Sequence, residues 1–170
     1  MEFELSTTQK GKLGEALVAS TLMLASNGRL SPFTPLSDDC GVDLIVLDKK
    51  TSRTLQIQVK CRSEKERPNR ALFGVRKASM RNGPECYLLA FFFNSKNPAL
   101  TQSWFMPMPE VRTLGVDKPD EYSIAPSSAL NSQDRYVEYR RENVGELVAA
   151  ILKELEPSTR VDATRTIVVR

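Results

Sequence analysis

Asp43, Gln58 and Lys60 bring a carboxylate, an amide and an ammonium within one short stretch of chain. Oxygen donors of this kind suit Mg²⁺, which keeps several waters and is held by only one or two protein carboxylates. The sequence contains no histidine. That excludes a histidine-based hydrolytic triad, the usual zinc deaminase site and any histidine-ligated metal. Cys40, Cys61 and Cys86 stand far apart in no paired spacing, so a disulfide framework is not expected. Chemistry must therefore rest on carboxylates, amides, lysines, hydroxyls or thiols.

Two predicted strands can position the three residues. Val42 to Leu47 is apolar on both faces and rich in β-branched residues, as in a strand covered on both sides. Leu55 to Cys61 alternates, with Leu55, Ile57, Val59 and Cys61 on one face and Gln56, Gln58 and Lys60 on the other. A hairpin turn centred between Lys50 and Thr51 sets Val46 opposite Leu55, Leu44 opposite Ile57 and Asp43 opposite Gln58. Opposed Cβ atoms lie about 5 Å apart, and Lys60 points to the same side as Gln58. A slip of one residue separates the group.

In that register Asp43 is the principal candidate ligand, with the Gln58 amide oxygen and the Val59 backbone carbonyl beside it. A bound metal lowers the pKa of its water and stabilises charge on phosphate oxygen. Lys60 is the candidate for orienting that water or offsetting transition-state charge. Glu15, on a predicted first helix, is the leading further carboxylate. The alternative stays open that Gln-x-Gln-x-Lys is only the polar face of a strand. Asp38 and Asp39 read as turn or capping residues rather than ligands. Cys61 falls on the apolar face as an inert core thiol.

The charge distribution suggests a partner. Between Thr51 and Arg81, nine basic residues (Arg53, Lys60, Arg62, Lys65, Arg67, Arg70, Arg76, Lys77 and Arg81) face only Glu64 and Glu66, a local +7 in a chain of net charge +3. Such a field suits a polyanion through counterion release, and a merely solvated basic loop is the other reading. Gln56, Arg62 and Ser63 flank the candidate site and are further candidates for phosphate contact. Trp104 reads as a packing residue rather than a base-stacking platform.

The remaining elements follow from pattern. A helix is predicted from about Thr8 to Ser26, with Leu13, Ala16, Leu17, Ser20 and Leu24 on one broad side and Asn27-Gly28 as its stop. Gly11 and Gly14 weaken its first turns or admit a close neighbour. Arg29 to Gly41 reads as turn-rich, and Ala71 to Met80 as helical or turn-like. Tyr87 to Phe93 is the expected central strand, with at least two of its three phenylalanines in the core. Gln102 to Met106 should lie beside it, followed by a short helix from Met108 to Leu114.

Gly115 to Gln133 reads as loop. Asn143 and Glu146 predict a capping box ahead of a final helix ended by Pro157. Thr164 to Val169 could add an edge strand to this subunit or a partner. The order predicts an α/β sandwich around a mixed sheet: one domain over residues 1–157 and a tail over 158–170, a candidate dimer element. With 170 residues, 41% of them apolar and 26% charged, the chain has room for one core. The N-terminus does not read as a signal peptide and no span is long and apolar enough for a membrane, so the expected compartment is the cytoplasm.

Three motifs in order carry a family resemblance: Gly11-x-x-Gly14-Glu15, Gly41-Val42-Asp43-Leu44 and Gln58-Val59-Lys60. Together they resemble the PD-(D/E)XK nuclease superfamily, which includes restriction endonucleases, archaeal Holliday-junction resolvases and some homing endonucleases. The resemblance covers about Gly11 to Arg62. It implies a restriction-endonuclease-like sandwich with a central mixed β-sheet flanked by helices, and an Mg²⁺-dependent endonuclease for which Mn²⁺ substitutes. It puts the helix glutamate at Glu15, the metal-binding aspartate at Asp43 and the catalytic lysine at Lys60. The second acidic position falls on Gln58, a Gln-x-Lys departure similar to a variant seen in some homing endonucleases. Double-stranded DNA is the expected partner, and a homodimer would suit two-strand cleavage. The rival readings are a catalytically inactive nucleic-acid-binding protein on the same fold and a regulatory protein that binds no nucleic acid.

Overall fold

A computed structural model describes residues 4–37, 40–63, 70, 72–93 and 99–157. The expected Thr164–Val169 strand, Asp38, Asp39, Lys65 and Arg67 fall outside them, as do the side chains of Ser63 and Phe93.

The first helix, α1, spans Thr7–Ala25 and begins with a reciprocal capping box between Ser6 and Gln9. It ends in a Schellman motif: Gly28 N–H donates to Met23 O, Asn27 N–H donates to Leu24 O, and Asn27 takes φ 50°. Its phase differs from the hydrophobicity reading. Gly14, Val18 and Leu22 are its buried positions, whereas Leu13 and Leu24 are exposed. The physical reason is Gly14, where a Cβ would lie 2.8 Å from Cys61 Sγ. Close approach of the helix backbone to the sheet, rather than leucine content, sets the rotation.

Arg29 to Gly41 is not wholly turn. Leu30–Phe33 forms β1, an edge strand that tolerates Pro32 and pairs antiparallel with β2, Leu44–Asp48. The next strand, β3, spans Thr54–Ser63, and its register with β2 sets Leu44 opposite Ile57 and Val46 opposite Leu55, as expected. Asp48 pins this hairpin. Its carboxylate receives paired hydrogen bonds from the Arg29 guanidinium at 2.9 and 2.8 Å, and others from Lys50 N–H and the Thr51 hydroxyl.

The piece before Met80, expected to be helical or turn-like, holds a strand, β4 (Phe73–Arg76), and then a single 3₁₀ turn at Lys77–Ser79. Phe73 and Val75 alternate inward into a second core cluster, as strand-favouring residues on one face do. Cys86–Phe93 forms β5, parallel to β3 and antiparallel to β6 (Ser103–Pro107). Helix α2 covers Met108–Leu114 as predicted.

The stretch read as loop after Leu114 contains β7 (Val116–Asp117) and β8 (Glu121–Ile124), which form a three-stranded sheet in the order β4-β8-β7. The short strand β9 (Arg140–Arg141) completes the six-stranded sheet β1-β2-β3-β5-β6-β9. Helix α3 spans Val144–Leu155. Asn143 caps it through Glu146 N–H, while the Glu146 carboxylate accepts from Glu142 N–H and the Asn143 side-chain amide.

The large sheet separates two cores. Side chains from α1 and α3 pack on Leu44, Val46, Ile57, Leu89 and Phe91, while α2 and the small sheet cover Leu88, Ala90, Trp104 and Met106. Trp104 is 1% exposed and its ring centroid lies 6.1 Å from that of Phe73, so it is a packing residue. Phe91 is fully buried, and Phe92 packs partly buried on the second core. Among the described residues no helix is long and apolar enough to cross a membrane.

Candidate active site

The β2–β3 hairpin opens at its Asp43 end. Asp43 N–H still donates to Ile57 O at 3.0 Å, but the next β3 donor, Val59 N–H, donates to the Asp43 side chain at 2.6 Å. A carboxylate thus replaces the backbone acceptor that a longer β2 would supply. A residue's N–H and C=O project to the same side of an extended strand, so the Val59 carbonyl also faces this opening.

Strand parity sends Gln58 and Lys60 to the sheet face opposite Ile57 and Val59. Asp43, Gln58, Val59 and Lys60 all line one polar cleft of about 810 Å³. Helix α1 supplies Thr7, Lys10, Gly11 and Glu15 to one wall. Glu15 is held by Lys12 at 2.9 Å and its side chain is 14% exposed. The opposite wall comes from β4 and the turn after it, including Gly74, Arg76 and Ser79. Gly41 joins the two sides. Its φ is +68°, and a Cβ there would collide with the Ser79 carbonyl oxygen.

Gln58 is 4% exposed, and its Oε1 has no hydrogen-bond partner among the described residues. A buried amide oxygen without a donor costs about 1–3 kcal/mol, so an electropositive ligand would satisfy it. Among the described residues no three His, Cys, Asp or Glu side chains gather closely enough to hold an ion alone. The donor set is one aspartate, an amide oxygen and a backbone carbonyl. That set fits a hard divalent cation that retains part of its water shell.

The basic residues divide. Arg62 and Arg76 line the cleft, and Arg62 Nε also donates to Leu72 O at 2.9 Å. Lys77 is engaged elsewhere: it pairs with Asp117 at 2.5 Å and lies over the Tyr122 ring, and the Asp117 bond raises its pKa. Arg81 Nε donates to Cys40 O, and Arg70 bridges to Ser127; neither lines the cleft. Gln56 does not line it either, since its Oε1 accepts a long contact from Cys86 Sγ at 3.7 Å. The Cys61 thiol donates to Lys10 O, and burial followed by Glu15 raises its pKa, which disfavours thiolate chemistry.

Glu121 is a cleft residue that pattern reading missed. It sits on β8 opposite Arg76, with its carboxylate against Gly74 and paired to Lys118 at 2.7 Å. Nothing local marks it, because β8 packs through the second core. Thr7 could have been found from the i, i+4, i+8 helical spacing that ends at Glu15.

The solved structure of a bacterial homing endonuclease, I-Ssp6803I, superimposes with a TM-score of 0.58 at 16% sequence identity, covering 89% of this chain and 95% of that one. The fold is restriction-endonuclease-like. Archaeoglobus fulgidus Hjc, a Holliday junction resolvase from an archaeal hyperthermophile, aligns over 68% of this chain and 83% of its own, with 16% identity and a TM-score of 0.46. No protein-family model matches the chain, and no curated protein matches it in sequence. On this restriction-endonuclease-like scaffold the cleft lies where β2 and β3 part.

Proposed function

We propose that the protein is an Mg²⁺-dependent nuclease that hydrolyses phosphodiester bonds in DNA, with Mn²⁺ able to substitute. The carrying observation is one cleft lined both by Asp43, whose carboxylate accepts from Val59 N–H, and by Gln58, whose buried amide oxygen has no hydrogen-bond partner among the described residues. The homing endonuclease that shares the fold supports the same reading.

Asp43, the Gln58 amide and the Val59 carbonyl would hold the ion, with Glu15 contributing directly or through water. When bound, Mg²⁺ supplies Lewis acidity: it lowers the pKa of water and offsets charge on a phosphate oxygen. Lys60 orients the attacking water and offsets charge that grows in the transition state. Arg62 and Arg76, on the cleft walls, hold substrate phosphates by charge without reading sequence. Gln58 contributes one negative charge fewer than an acid would, so Asp43 carries more of the binding. Residues 1–157 act as one domain, and two copies would cut both strands of a duplex; the tail over 158–170, expected as a dimer element, lies outside the described residues.

The test is cleavage of supercoiled plasmid in Mg²⁺ or Mn²⁺ by the parent protein, Asp43→Ala and Lys60→Ala, with calorimetric Mn²⁺ titration. The expected result is cation-dependent nicking by the parent, loss of measurable Mn²⁺ binding in Asp43→Ala, and cleavage reduced by about 10²-fold or more in Lys60→Ala. Equal cutting by all three proteins would show that the assigned site is wrong. DNA binding without cutting by the parent would favour the inactive-scaffold alternative.

A further inference from the structure

The two glycines in the first turns of α1 lack side chains for different reasons. At Gly14, contact with Cys61 leaves no room for one. At Gly11 a Cβ would meet nothing within 4 Å, and the backbone there is not left-handed. Glycine inside a helix is less favourable than alanine because it loses more backbone freedom on folding. Neither packing nor conformation among the described residues accounts for Gly11.

Its position in the cleft does. Thr7, Gly11 and Glu15 are spaced i, i+4 and i+8, one above another on the same face of the helix, and all three line the cleft. Thr7 and Glu15 carry polar side chains along that face, and Gly11 leaves a gap between them. A second observation, on β3, points to a ligand in the same cleft. Gln58 lines the same cleft, is 4% exposed, and its Oε1 has no hydrogen-bond partner among the described residues.

We infer that Gly11 is a substrate-approach position, where the bare helix backbone receives the sugar–phosphate backbone of a nucleic-acid strand on its way to Asp43 and Glu15. The inference rests on the nuclease reading and names the part of the cleft that seats the strand. Lys10, adjacent and also cleft-lining, supplies charge for a phosphate at that point. A side chain at residue 11 lifts the strand from the helix and moves the reacting phosphate away from Asp43. Misplacement of about 1 Å is enough to slow such a reaction strongly.

The experiment compares the parent with Gly11→Ala and Gly11→Leu, using thermal unfolding, fluorescence anisotropy on a labelled DNA duplex at low salt, and plasmid cleavage. Both substitutions improve helix propensity in open space, so both variants should melt at or above the parent, by about 2–4 °C for alanine. Affinity for the duplex should fall about threefold for alanine and about tenfold or more for leucine, with cleavage falling in the same order. Parent-like affinity and cleavage in both variants would overturn the role of Gly11 while leaving the nuclease reading intact. Melting below the parent would also overturn it, by revealing an intramolecular reason for the glycine. A parent protein that binds no duplex would remove the nucleic-acid reading and this inference together.

Discussion

The Asp43 carboxylate accepts a 2.6 Å hydrogen bond from the Val59 backbone N–H, two residues beyond the last β3 residue that pairs with β2. This bond ties the side chain to the frame of the sheet, because β3 is paired with β5 throughout the same stretch. A charge-assisted bond of this kind is shorter and stronger than a neutral one. It fixes one carboxylate oxygen of a cleft-lining residue to β3 without a dedicated loop.

Gln58→Glu tests whether the unpartnered amide oxygen is a ligand position. Burial should raise the new carboxyl's pKa, which makes the variant less stable than the parent by about 1–3 kcal/mol at pH 8 in chelator. The deficit shrinks towards pH 5, because a carboxyl with a raised folded pKa destabilises only where the unfolded chain has already ionised. Mn²⁺ should raise the variant's Tm more than the parent's. Equal Mn²⁺ shifts in the two proteins would remove Gln58 from the ligand set.

Gly41→Ala should damage both stability and the site. Residue 41 needs a left-handed φ of +68°, and a methyl there would strike the Ser79 carbonyl. The expected cost is about 2–4 kcal/mol in urea unfolding. Asp43 is two residues away, so Mn²⁺ affinity should fall in the folded fraction as well. A variant with parental stability would show that the approach of this turn to Ser79 is relaxed in solution.

Asp48 gives the fold a defined acid response. The carboxylate is fully buried, and its pKa is held far below the ordinary range, first by the Arg29 hydrogen bonds, which outweigh burial, and then by Lys50 N–H and Thr51. A depressed folded pKa means stability that is present above the unfolded value of about 3.9 and lost as pH falls below it. Asp48→Ala should cost about 2–3 kcal/mol at pH 7, less than a fully buried pair because Arg29 keeps some access to water. The variant should also lose part of the parent's stability change between pH 5 and pH 2, as measured by urea unfolding across that range. An unchanged acid slope would assign the response to other carboxylates.

Period-two alternation made the centre of this site legible. In the run from Leu55 to Cys61, apolar and polar residues alternate so cleanly that burial of one face dictates where Gln58 and Lys60 point, and the turn residues between the strands set the register. The α/β class, the central Cys86–Phe93 strand and the final helix were readable because each carries a long, regular apolar pattern.

Only tertiary structure decided the rest. The phase of α1 depends on Gly14 meeting Cys61, a contact to which glycine contributes no hydrophobic signal. Strands β4, β7 and β8 are two to four residues each, too short for periodicity to show, and they exist because Phe73, Val75 and Ile124 close a second core over the sheet. That closure brings Arg76 and Glu121 to the cleft and leaves Arg70, Lys77 and Arg81 away from it. Charge counting along a chain cannot see this division, because only folding determines which basic residues share a surface.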